Sequence, residues 1–384
     1  MNWLFVKFAS LLIIPSLHLI NKYTGIPGVF LYVLLILLVL PALCKYFLKH
    51  LIFKISQKKS FWLIVITFCF LVAIFYICYP IANSGTFGPG SDRDEDMNIA
   101  TNALLHGRYP YYIKTYLGNN ITHFPGSLFL SIPFVLLGNG AYQNFFWFLA
   151  FLIMLRFYLG DWRLALFLLW LLLILSPAIL HEFVTGGDLV ANSLYILIFT
   201  FLFVNALSKP HTKRWEKVLS AILLGVGFSS RLNFLLFLPL IFSTLVQNVG
   251  WRIAIKYVAL VGVVFVAITL PFYLYDPINF TPLYGQFSKI GNFNSLFPFA
   301  STFIILAGFI IAFLLSFQHM HSDCVVLFRN CAIVQAFLVF SPAILEIINH
   351  GKPEFSFFGF GLFFLFFGAV SFWRSIIKRY NASP

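Results

Sequence analysis

Twelve apolar runs, each at or near the length that crosses a bilayer, constrain this chain more than any other feature. They fall at 4–20, 28–44, 61–80, 142–159, 164–180, 189–207, 218–230, 232–247, 253–272, 297–317, 325–346 and 355–373. A hydrocarbon core takes about 20 helical residues per crossing, so 384 residues leave room for roughly 10 to 13 crossings. Charged residues make up 10% of the chain, whereas a soluble domain carries about a quarter, and this excludes a soluble enzyme. The expected fold class is an all-α polytopic membrane protein with about 12 transmembrane helices and additional interfacial helices in its first large outer loop. The first run contains Lys7 and Pro15 but no clear small-residue cleavage site, so it reads as a retained helix rather than a signal peptide.

Loop charges orient the runs. Lys45, Lys49, Lys54, Lys58 and Lys59 occupy one loop without an acid, which assigns that loop to the cytoplasm. The third run then delivers residues 81–126 to the opposite face. Lys209, Lys213, Arg214 and Lys217 must return inside, which requires an odd number of spans between the two basic loops. The apolar stretch 128–138 is too short and contains Pro133, so it reads as an interfacial or re-entrant helix. A break at Ser229-Ser230-Arg231 keeps Arg374, Lys378 and Arg379 inside, and both termini are then cytoplasmic. On this topology about 18 of the 25 Lys and Arg lie inside and about 9 of the 12 acids outside. The net charge of +13 is therefore topological, and nucleic acid is not an expected partner.

The chain reads as a single membrane domain, 1–384, in a plasma or inner membrane. Residues 1–59 form an extra helical hairpin with a basic loop, and 81–138 form an extracytoplasmic loop with interfacial helices. The cysteines Cys44, Cys69, Cys78, Cys324 and Cys331 have neither disulfide nor metal-ligand spacing.

Four acids crowd into Asp92-Arg93-Asp94-Glu95-Asp96 of that outer loop. Ser91 followed by Asp94 has capping-box spacing, and Met97, Ala100, Ala103 and Leu104 recur on one helical face, predicting a short helix lying on the membrane. Asp94, Asn98 and Asn102 align on another face, and the helix N-terminus favours an ionised Asp94. A solvated, capped helix start would look the same. Asp92, Asp94 and Asp96 alternate as in a metal loop, but the later Gly and Glu of an EF-hand are missing, so no metal site is expected.

The surroundings of the acids carry a resemblance. Asp94, then Ala103-Leu104-Leu105, Gly107 and Pro110-Tyr111, then His123-Phe124-Pro125-Gly126 opening an apolar stretch, resembles the first outer loop of GT-C-type glycosyltransferases, and most of all the bacterial polyprenyl-phosphate-sugar-dependent, mannosyltransferase-like members. About 35 residues match closely and the many-helix architecture loosely. Asn98 stands where an aromatic is common, His123-Phe124-Pro125-Gly126 replaces a tyrosine and double proline, and two extra helices precede the loop.

The resemblance implies transfer of a sugar, mannose as first guess, from a polyprenyl-phosphate donor to a glycan, lipid or protein acceptor at the outer face. It places the base on Asp94, with Glu95 completing an Asp-Glu pair, and it implies no cofactor. Asp92, Lys114 and His123 of the same loop are candidate substrate-binding residues. Arg231 at the helix break suits a lipid phosphate, or else snorkels or caps a helix. Glu182 and Asp188 flank Gly186-Gly187 in the loop 181–188, where Asp188 either N-caps the next helix or meets sugar hydroxyls. Lys289 is a further candidate for the phosphate. A polymerase or ligase using diphosphate-linked glycans, or a lipid or glycan transporter, would share the architecture.

Overall fold

A computed structural model describes residues 3–47, 50, 54–84, 92–284, 299–318, 324–351 and 355–382, and among these residues the regular structure is helical, joined by turns and loops, apart from one isolated bridge between Lys114 and Asn120. The helices are α1 (Trp3–Ile13), α2 (Leu17–Tyr46), α3 (Gln57–Ala82), α4 (Arg93–Leu105), α5 (Pro125–Leu136), α6 (Gln143–Leu159), α7 (Trp162–Leu175), α8 (Pro177–Thr185), α9 (Leu189–Ser208), α10 (Arg214–Phe228), α11 (Leu238–Val249), α12 (Trp251–Tyr275), α13 (Ala300–Ser316), α14 (Val325–His350) and α15 (Leu362–Ala382).

Eight helical stretches among the described residues are long and apolar enough to cross a membrane, and a ninth arises if the bent pair α7–α8 counts as one. The difference from twelve has identifiable causes. The first two runs join into one stretch, Phe5–Tyr46, interrupted at Pro15 by a 3-10 turn and at Gly25 by a positive φ of 67°. The runs 218–230 and 297–317 become α10 and α13, of 15 and 17 residues. The run 164–180 is not one straight helix. It turns through 81° at Ser176, because a residue before proline is pushed out of the helical region. The elbow exposes backbone groups that other elements satisfy: Tyr32 donates to the Leu175 carbonyl at 2.7 Å, and the Ala178 N–H donates to Ser16 Oγ at 3.1 Å.

The core forms around α9. Leu189–Ser208 is buried on every side from Leu189 to Thr200, and α6, α10, α11 and α15 pack around it. One cluster of buried apolar side chains runs from Phe8 to Ile376. A second, smaller cluster lies under the outer segment, where Met97 and Ala100 of α4 pack with Tyr111, Ile121, Phe124, Leu128 and Phe280. This is the apolar face predicted for the loop helix. The first residue of α4 is Arg93, preceded by Asp92 without a side-chain cap bond, and Ser91 lies outside the described residues. The stretch 128–138 is the 12-residue α5, as short as expected.

Candidate functional site

The three alternating aspartates at the start of α4, Asp92, Asp94 and Asp96, point in three directions. Asp92 turns back to the loop, accepting from Thr115 Oγ1 at 2.6 Å and Asn119 Nδ2 at 2.8 Å, and these bonds outweigh its partial burial to hold its carboxyl below the usual range. Asp94 is buried against α3, where Tyr79 donates to its Oδ2 at 2.5 Å, and Asn139 donates to Tyr79 in turn at 2.9 Å. Burial outweighs the Tyr79 bond and raises the Asp94 carboxyl above its ordinary value. Asp96 faces inward, accepting from the Thr122 N–H and Oγ1 at 3.2 Å each, with its other oxygen 3.2 Å from His123 Nδ1. No EF-hand-like convergence of the three acids exists. Among the described residues, no group of three His, Cys, Asp or Glu side chains is arranged to hold a metal ion.

His123 joins this acid to the far side of the site. Its Nε2 lies 3.1 Å from Asp188 Oδ2, and the same oxygen accepts from Asn192 Nδ2 at 2.5 Å and from Arg231 Nη2. Tyr195 donates to Asn192 Oδ1 at 2.7 Å, so the polar network extends one turn into α9. Burial opposes the charge on both His123 and Asp188, but their partners prevail. Asp96 and Asp188 push the imidazole up to about 9, while Arg231 and His123 hold the Asp188 carboxyl well below the carboxylate range. Asp188 Oδ1 and Arg231 Nε are buried without a hydrogen-bond partner among the described residues.

Helix breaks and two glycines bring these residues together. α10 ends at Phe228, Ser229-Ser230 turn, and Arg231 is extended (φ −157°) before a 3-10 segment, Leu232–Phe237, so the sharp break expected at Arg231 is present. The entry to α5 seats on this break: the Gly126 N–H donates to the Ser229 carbonyl at 2.9 Å, and a Cβ on Gly126 would sit 2.3 Å from the Val226 carbonyl oxygen. Between α8 and α9, Gly186 takes a φ of +72°, and a Cβ there would lie 3.1 Å from Asp94 Cβ. Gly187 makes room for the Glu182 carboxylate, which a Cβ would meet at 2.2 Å.

Two expectations are corrected here. Glu182 is helical, in α8, rather than in a loop, and it reaches across the turn to accept from the Leu189 N–H at 3.2 Å. Asp188 occupies the capping position of α9 without capping it, since its carboxylate is committed to Arg231, His123 and Asn192. Arg231 does not snorkel. Its side chain is 13% exposed and its guanidinium lies over the Phe363 ring at 5.3 Å.

The structure thus gathers Asp94, His123, Glu182, Asp188 and Arg231 at one end of the bundle. Glu95 points away and accepts from the Tyr116 N–H at 2.9 Å, and Asp92 staples the loop. Lys114 is exposed on the isolated bridge, with no ion pair to the cluster. Lys289 lies outside the described residues.

Sequence reasoning missed Asp96, Arg93, Tyr79 and Asn139. Asp96 precedes Ala100 by four residues and so shares the buried stripe of α4, a signal that was present in the helical spacing. Arg93 pairs with Glu182 at 2.9 Å, a contact between elements 89 residues apart that no local pattern announces. Beside α3, Phe70, Ile74, Trp170, Ile174 and Pro177 line an apolar cleft of about 440 Å³ at the α7–α8 elbow. No protein family, curated protein or solved structure matches the chain.

Proposed function

We propose that the chain is an integral-membrane glycosyltransferase of GT-C type, with both termini in the cytoplasm, which transfers a sugar from a polyprenyl-phosphate donor at the outer face. The observation that carries this reading is the convergence of a nearly buried acid, Asp94, with a buried Asp188–Arg231 pair at one end of an apolar helical bundle. A displacement at an anomeric carbon needs a base on one side and a cation on the other. The acceptor hydroxyl attacks the anomeric carbon and gives its proton to Asp94. The bond from that carbon to the phosphate oxygen breaks, its electron pair leaves on the phosphate, and configuration inverts. Burial raises Asp94, which brings a carboxylate nearer the basicity that proton abstraction at neutral pH requires.

Arg231 supplies the cation for the departing phosphate. Asp188 offers a sugar or acceptor hydroxyl its Oδ1, the oxygen not engaged by Arg231, His123 and Asn192, with Glu182 beside it, and the cleft at the elbow accommodates part of the lipid chain. A phosphate monoester leaves with less charge than a diphosphate, so an arginine can serve without a divalent ion.

The test is transfer of radiolabelled mannose from a synthetic polyprenyl-phosphate-mannose by purified protein in detergent, with and without chelator. Asp94→Asn is expected to lower turnover by about 10²–10⁴-fold while the protein still folds. Activity within about tenfold of wild type would remove Asp94 as the base. Absence of transfer or hydrolysis across mannose, glucose and arabinose donors would favour a diphosphate-linked glycan donor or transport.

A further inference from the structure

Four separate elements meet at one imidazole and the aspartate beside it. Asp96 comes from α4, His123 from the segment entering α5, Asp188 from the start of α9, and Arg231 from the break after α10. The ring is 2% exposed, with one nitrogen 3.2 Å from the Asp96 carboxylate and the other 3.1 Å from that of Asp188. A neutral imidazole has a single N–H, so one carboxylate would then face a ring lone pair. Only the imidazolium suits both. These contacts are ion pairs rather than aligned hydrogen bonds, so their strength depends on the ring's charge more than on its tautomer.

The ring has little freedom to leave. Its own backbone carbonyl accepts from the buried Tyr111 hydroxyl at 3.1 Å, and the preceding residue, Thr122, is held by Asp96. The other charged groups around it are accounted for: Arg231 shares Asp188, and the Arg93–Glu182 pair forms the next layer.

We infer that His123 is the positioning residue of this site: an imidazolium shared between Asp96 and Asp188, it fixes the helix carrying Asp94 against the helix break carrying Arg231. The inference rests on the transferase reading for its catalytic consequence, since the distance between base and phosphate cation is set through this bridge. Asp96 lies two residues from Asp94 on one rigid helix, and Asp188 binds Arg231 directly, so the bridge completes a continuous path between the two groups. Burial alone would discharge the ring, and the flanking carboxylates keep it protonated up to about 9.

The test compares wild type, His123→Gln and Asp96→Asn/His123→Gln across about pH 6 to 10, reading kcat, KM and thermal unfolding. Wild-type kcat is expected to fall as pH rises through about 9 with little change in KM. His123→Gln is expected to lose about tenfold in kcat at neutral pH and to lack that limb. The double variant removes the stranded Asp96 charge as well, and it should regain about threefold over His123→Gln. It also serves if the single variant does not fold. Retention of the limb near pH 9 in a folded variant without His123, or a kcat within about twofold of wild type, would overturn the inference. If wild type transfers no sugar, the transferase reading fails and unfolding decides the bridge alone. Wild-type stability that falls through about pH 9 while the variant's stays flat upholds it, and wild-type stability that stays flat there refutes it.

Discussion

Asp188 shows at the residue scale how a buried acid is held ionised. Arg231, His123 and Asn192 all converge on one of its oxygens, so the charge is fully engaged on that side. Removing one partner of a buried ion pair costs about 3–5 kcal/mol, because the other charge stays buried. Arg231→Met should therefore lower thermal stability by that order, and Arg231→Lys by less, since the ammonium keeps the charge and loses the planar fork. Differential scanning fluorimetry on the two variants checks this ordering. Asp94 offers a second test. Tyr79 donates to its carboxylate, and that bond favours the ionised form. Tyr79→Phe should raise the Asp94 carboxyl further, moving the acid limb of the pH–rate profile upward. A limb that moves down or stays in place would contradict the assignment of Asp94 as base.

At the scale of elements, what positions the site is a set of helix interruptions. The turn at Ser229-Ser230 and the Gly186-Gly187 turn each bring a helix end to the same place, and the elbow at Pro177 redirects α8, which carries Glu182 to it. The seat of α5 on the first of these depends on Gly126, whose missing side chain lets two backbones touch. Gly126→Ala must push backbone rather than a side-chain tip, with an expected cost of about 1–3 kcal/mol in unfolding free energy. The same shift should displace His123, three residues earlier, and reduce turnover along with stability.

The break at Arg231 was readable, because a polar Ser-Ser-Arg triplet interrupts an apolar run and loop-charge parity requires it. The elbow at Pro177 is not legible in the hydropathy pattern. Both sides of it are apolar, and hydropathy measures solvent preference without direction, so only the proline marked the turn. For the same reason the sequence places Glu182 in a loop, although it lies one turn from the end of α8.

The central bridge contributes one part of the whole molecule's pH response. His123 has a raised value, so its contribution to stability is complete below the unfolded 6.5 and is lost as pH rises through about 9. Asp188 has a lowered value, so its contribution is complete above 3.8 and is lost as pH falls through its folded value. Unfolding temperature should therefore be highest between about pH 4 and 6.5 as far as this pair is concerned, and should decline on either side. Orientation is tested separately by cysteine labelling with an impermeant thiol reagent in intact cells. Tyr116→Cys should react from outside, and Lys58→Cys only after permeabilisation; the reverse would invert the topology.

Composition and run lengths alone decided that the chain enters a membrane as helices, because backbone polar groups in lipid must be satisfied within the segment. Local spacing also decided the apolar face of α4 and the shortness of α5, since these depend on residues a few positions apart, whereas Asp94 became a candidate base through the family resemblance and Arg231 a candidate through loop-charge parity. Only the tertiary structure decided which acids share a site. Glu95 neighbours Asp94 in sequence and leaves it in space, because adjacent residues on a helix diverge by about 100°, whereas Asp96, His123, Asp188 and Arg231 meet from four distant segments. Charges attract through space without regard to chain separation, and the partner that neutralises a buried acid is chosen by packing, which no local pattern records.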